Sequence, residues 1–211
     1  MNAGLAKAPL ALLLALFLLL SGCATTQKLG EEDRKKISTV RISSNVLVAP
    51  AMYYLGPDTG ALFALGGVGA AVAASASVEP GKAIQQFAEK NGIFIEKITL
   101  AELDAALRQS GKLKVLDPAE QTDAVINVRV VLYGFSIPHG FSSRLVPVVN
   151  VRCEMVDAAG KLLWSAGDSV LPLGNPATSM TLQEMNDDPK RIDEAWHKAS
   201  HRIAGNIVKA L

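Results

Sequence analysis

The chain has 211 residues, with 21 Lys and Arg against 20 Asp and Glu, and 49% of it is hydrophobic. So even a charge balance argues against nucleic acid or a strongly anionic surface as the main partner, because such partners usually require a basic patch. The first element is an apolar run over residues 8–20, preceded by Lys7 and followed by small residues. It falls short of the roughly 20 apolar residues that span a bilayer. Its basic start, apolar centre and small-residue exit read as a secretory signal peptide over residues 1–22.

The run ends in Leu20-Ser21-Gly22-Cys23. This tetrad resembles the lipobox of bacterial lipoproteins and matches the pattern Leu-[Ala/Ser]-[Gly/Ala]-Cys at every position. The resemblance implies diacylglycerol transfer to the Cys23 sulfur, cleavage between Gly22 and Cys23, and acylation of the new amino terminus. The chemistry agrees: small side chains expose the backbone to a protease, and only a thiol can become the thioether. One acyl chain holds a protein marginally, at about 0.8 kcal/mol per buried methylene, whereas several chains on one residue anchor it stably. In Gram-negative lipoproteins an aspartate after the cysteine commonly signals inner-membrane retention. Ala24 stands there instead, so the resemblance implies the outer membrane, with the domain facing the periplasm.

Removing residues 1–22 leaves 189, enough for a single domain with its own core. With Cys23 acylated, Cys153 has no intramolecular disulfide partner even in an oxidising compartment. Residues 23–36 lack apolar periodicity and read as a solvated tether, able to reach roughly 40 Å at about 3.3 Å per residue. The domain proper is expected over 37–211. Val40, Ile42, Val46 and Val48 alternate with polar residues as in a strand that Pro50 ends. Residues 60–78 then contain no charge and much Gly and Ala. They are open to three readings: a connector, a membrane span, or a loop contacting a membrane or a second copy. The GGVGAA within them lacks the third glycine and the acidic residue of a dinucleotide-binding unit.

Helix is expected from about residue 81 to 110, with Thr99 and Glu102 spaced as a capping box, so that residues 92–98 either interrupt it or begin the main helix, and with Gly111 as its stop. KLKVL follows as a short strand. Ile126, Val128, Val130 and Leu132 share one face of a strand, and Leu145, Val149, Val151, Cys153 and Met155 one face of the next. Placing both sets on the same side pairs 128 with 153 and 129 with 152, or sets a register two residues away. It also makes Cys153 a core residue. A turn at Ala159-Gly160 and a strand carrying Trp164 come next. Asp188-Pro189 then starts a final helix with Ile192, Trp196, Ala199, Ile203 and Ile207 on one face.

This order predicts an α+β domain: a mostly antiparallel sheet of four to five strands, packed by a central helix and a C-terminal helix. With the ADAVINVRVVLYGF and VDAAGKLLW segments, it resembles a broad set of small periplasmic lipoproteins. Some of those accompany secretion pores, lipid-transport complexes or cell-wall synthases.

Candidate chemistry is sparse. His197 and His201 stand at i and i+4 on the last helix, a spacing that can place two imidazoles on a metal, but Lys198 occupies the position of a zinc-protease glutamate and no third ligand is evident. His139 lies at a hairpin tip near Ser142 and Ser143, outside any nucleophile-elbow motif. Phe135 and Phe141, with His139, are expected to form a partner-contact loop. No cofactor motif occurs. The expectation is a non-enzymatic accessory or assembly lipoprotein, held to the membrane by its lipid and contacting an envelope protein or further copies of itself. The alternatives are a homo-oligomeric secretion or pore lipoprotein, which the likeness to curli-secretion-type lipoproteins in element order suggests, and an envelope hydrolase using the histidines.

Overall fold

The computed structural model describes residues 26–56, 79–140, 142–173 and 178–211. Cys23, Gly22, Phe141 and the 60–78 segment lie outside the described residues, as does the signal region. In chain order the elements are α1 (Glu31–Lys36), β1 (Thr39–Ile42), β2 (Leu47–Val48), β3 (Tyr53–Leu55), α2 (Pro80–Lys90), α3 (Ile95–Ser110) and β4 (Lys114–Val115). There follow β5 (Ala124–Ser136), β6 (Val146–Asp157), β7 (Leu162–Val170), α4 (Leu182–Asp187) and α5 (Lys190–Lys209).

The fold is α+β, but its sheet is mixed rather than mostly antiparallel, and among the described residues it has seven strands. The main path runs β4-β1-β5-β6-β7, with β2 and β3 also paired to β5. β1 lies parallel to β4 and β5, and β2 and β3 are parallel to β5. The cause is the connection: the chain leaves β3, passes through α2 and α3, and returns to start β4 and β5 in the same direction as β1. Parallel neighbours need such a crossover. Alternation along a strand reports which face is buried and says nothing of direction, so the sequence pattern did not show it.

The β5–β6 hairpin adopts the first of the two expected registers, with Val128 opposite Cys153 and Arg129 opposite Arg152. The register shifts between Val130 and Leu132, which pairs with Asn150. A bulge of this kind moves the inward face by one residue. Before it Ile126, Val128 and Val130 are buried, and beyond it Tyr133 and Phe135 take over the helix side against Trp196. Phe135 is therefore a core residue rather than an exposed partner contact: it is fully buried and stacks on Trp196 at 5.8 Å between ring centroids.

The stretch before β4 is two helices, and the interruption expected within residues 92–98 begins at Gly92, whose φ of 76° suits a residue without Cβ. Gly111 ends α3 at φ 62°. The capping box foreseen at Thr99 does not form. Thr99 lies inside α3, buried, and Glu102 points elsewhere. A capping box does start α4, where Thr181 and Glu184 bond each other's backbone N–H. α5 buries the expected face, Ile192, Trp196, Ala199, Ile203 and Ile207. Asp188 Oδ1 accepts from the Lys190 N–H at 3.2 Å, as an N-cap does. α3 and α5 pack on one another, and α5 lies across β6 and β7, so the core sits between these helices and one face of the sheet.

Residues 26–36 depart from the expected solvated tether. Gln27 bridges to Ser165 on β7, Leu29 is buried, and residues 31–36 form α1. Among the described residues no helix is long and apolar enough to cross a membrane.

Candidate functional site

His197 and His201 lie one turn apart on α5, and both turn their Nδ1 atoms to one carboxylate. Glu102 of α3 takes His197 through Oε1 at 2.8 Å and His201 through Oε2 at 2.9 Å. In the tautomer that bears the proton on Nδ1, each imidazole donates one bond and the carboxylate accepts both. Asp193 lies one turn back, 3.8 Å from His197 Nε2. Burial pushes the Glu102 carboxyl up, but the bonds and charges of the two histidines outweigh it, so its pKa is held below the ordinary value. The described residues contain no group of three or more His, Cys, Asp or Glu placed to hold a metal ion. What this arrangement can do with its own atoms is clip α3 to α5 across the helix layer.

Only half of the clip has a signal in the sequence. Glu102 lies on the stretch read as the central helix, one position from Leu103, while the histidines are spaced for one partner. Nothing in a single sequence joins positions 102, 197 and 201.

His139 is exposed in the β5–β6 loop, and its tie to Ser142 runs through its backbone carbonyl, which accepts from the Ser142 N–H at 3.0 Å. The Ser142 hydroxyl is occupied by Arg144, accepting from its N–H at 3.0 Å and donating to its carbonyl at 3.1 Å. Arg144 fastens the base of this loop, with Nε donating to Ser179 Oγ at 2.9 Å and Nη2 facing Glu184 at 3.3 Å. The histidine and the serine are thus not brought together as base and nucleophile. Cys153 is fully buried, and burial, then the Glu154 charge, pushes its thiol up to about 12. That removes the thiolate on which cysteine chemistry depends.

A second arrangement was hidden in the sequence. The Gln27 N–H donates to the Ser165 carbonyl at 3.0 Å, and the Ser165 N–H returns a bond to the Gln27 carbonyl at 3.0 Å. Its side-chain amide donates to the Leu162 carbonyl at 3.1 Å. Asp33 pairs with Lys161 at 3.1 Å, and Arg34 donates to the C-terminal Leu211 carbonyl. The segment that follows Cys23 is thereby stitched to the β7 edge. Beside it a groove of about 280 Å³ is lined by Thr26, Asn150, Arg152, Ser165, Gly167 and Ser169. Three exposed leucines mark the same strand: Leu162 at its start, and Leu171 (56% exposed) and Leu173 (82%) just past its end.

No protein-family model matches the chain, and no curated protein matches it. Solved structures do resemble it. A Xanthomonas campestris protein of the DUF330 family is 11% identical over 82% of this chain and 82% of its own, with a TM-score of 0.47. The PelC dodecamer from Paraburkholderia phytofirmans is 13% identical over 89% and 95%, at 0.39. Lipoprotein GNA1162 from Neisseria meningitidis is 21% identical over 63% and 81%, at 0.26.

Proposed function

We propose that this protein is an outer-membrane lipoprotein, anchored through acylated Cys23, that serves a non-catalytic accessory or assembly role in the cell envelope. The observation that carries the reading is the stitching of Gln27 to Ser165, which builds the residues next to the lipobox cysteine into the sheet. Two further features support it. The histidine pair is taken up by Glu102 in joining two helices. The remaining thiol, Cys153, is inside the core. The His197–His201 pair and Cys153 thus serve the packing of the domain, while His139 is exposed in its loop.

The test is a complementation series in a strain lacking the gene, scored by sensitivity of the envelope to detergent. The full chain and its His139→Ala/His197→Ala/His201→Ala variant are expected to restore resistance, and Cys23→Ala is expected to fail. Failure of a triple variant that is folded and present at the normal level would overturn the non-catalytic reading. Rescue by Cys23→Ala would overturn the need for the anchor.

A further inference from the structure

The position of the lipid relative to the fold follows from chain length. Cys23 and Gln27 are four residues apart, so their Cα atoms are separated by at most about 14 Å even when the chain is fully extended. Gln27 is fixed to the first half of β7 by its bonds to Ser165 and Leu162. The acyl chains on Cys23 must enter the bilayer from that spot, so the β7 edge cannot stand far from the headgroups. β4 ends the sheet on the other side, four strand spacings or about 19 Å away.

The chemistry of the edge matches its place. Leu171 and Leu173 are the two most exposed large apolar side chains among the described residues. Leu171 lies about 20 Å along the strand direction from Ser165 at about 3.3 Å per residue, and Leu162 flanks the same point on the other side. Single exposed leucines such as Leu47 and Leu55 are ordinary on a protein surface, and what distinguishes Leu171 and Leu173 is that they stand just past the end of the strand next to the anchor. The surface nearest the anchor is the bilayer.

We propose that the β7 edge is the membrane-docking surface of this protein, with Leu171 and Leu173 set into the lipid interface beside the Cys23 anchor. The inference deepens the proposed function and rests on acylation of Cys23. It replaces a domain swinging on a long tether by one held edge-on, with β4 directed away from the membrane.

The test uses the full, natively acylated protein in vesicles of phosphatidylethanolamine and phosphatidylglycerol. An environment-sensitive fluorophore is attached at Leu173→Cys or at Lys114→Cys on the β4 edge. Cys153 is buried and does not compete for the label. Spin-labelled lipid is expected to quench the label at 173 several-fold more than the label at 114. Equal, weak quenching at both positions in a protein whose intact mass shows the acyl chains would overturn the docking surface and leave the lipoprotein reading standing. A mass without acyl chains would overturn the lipoprotein reading itself. A label at 173 shielded from both lipid and aqueous quencher, with copies cross-linking through that position, would assign the edge to a second copy and overturn the proposal.

Discussion

Replacing Glu102 by Gln tests the helix clip, because glutamine has the shape of the carboxyl group and lacks the charge of the carboxylate. In the native protein the carboxylate accepts from both His197 and His201. A buried hydrogen bond to a charged group contributes about 1.5–3 kcal/mol, but His197 is 41% exposed and His201 75%. Solvent screening reduces the outer bond to the level of a surface pair, at most about 1 kcal/mol, so the clip as a whole is worth about 1–2 kcal/mol. In a domain of this size that corresponds to roughly 2–8 °C in Tm.

The pH dependence gives the sharper readout. Glu102 has a folded pKa below its ordinary 4.5, so the unfolded chain binds the proton more readily. The stabilisation is complete above pH 4.5 and is lost as the pH falls through the lowered folded value. Urea midpoints of wild type and Glu102→Gln should therefore differ at pH 7 and converge as the pH is taken progressively below 4.5. Addition of His197→Ala should show coupling of about 1 kcal/mol in a double-mutant cycle. Coincident midpoints at pH 7, or a gap that does not narrow anywhere below pH 4.5, would refute the reasoning.

Asp123 accepts from the backbone N–H groups and hydroxyls of both Ser38 and Thr39, which lowers its pKa to about 2. Its contribution is present above the ordinary value of 3.8 and disappears towards pH 2, so Asp123→Asn should flatten the stability profile across that window in acid titrations. Gly134 has φ 143°, and a Cβ there would sit 1.9 Å from the Tyr53 carbonyl. Gly134→Ala should cost on the order of 2–4 kcal/mol by chemical denaturation, with hydrogen exchange accelerated along β3. Trp196 packs between Tyr133 and Phe135, and its Nε1 is buried with no hydrogen-bond partner among the described residues. Trp196→Ala should cost about 3–5 kcal/mol. Trp196→Phe should cost far less, since removing the indole N–H relieves about 1–3 kcal/mol of unmet desolvation.

The parts of the fold that repeat a local pattern were legible in the sequence. Two alternating apolar sets that had to face one way narrowed the β5–β6 register to two choices, of which the structure takes one, and the buried stripe of α5 followed from helical spacing. Features that depend on a single residue's departure from the pattern were not legible. The bulge at Val131 turned Leu132 outward and Phe135 inward, so that an aromatic read as a contact became part of the core. The same limit applies to the direction of β1, which rests on a crossover through helices that leave no trace in strand alternation. The clip at Glu102 joins residues almost a hundred positions apart and carries no local signature. His197 and His201 were recognisable as a pair, but the partner that defines what they do was not.

The stretch over 26–36 misled for a related reason, and its consequence reaches the function. Much of what fixes Gln27 is backbone pairing, to which hydropathy is blind, and α1 is short and charged with no buried residue of its own. A segment without periodicity therefore looked like free tether. A tether of fourteen residues lets a domain sample every orientation within roughly 40 Å of the membrane, whereas four residue steps allow about 14 Å. If Cys23 carries the proposed lipid anchor, the shorter span makes orientation part of the mechanism: substitutions along β7 are then expected to act on contact with the bilayer, and substitutions on β4 on the surface directed away from it. Paired Leu171→Ser/Leu173→Ser and Lys114→Glu variants should then separate the two effects, the first weakening lipid quenching at the edge and the second leaving it unchanged. If both variants altered lipid contact alike, the domain would be tumbling over the anchor and the short span would not be orienting it.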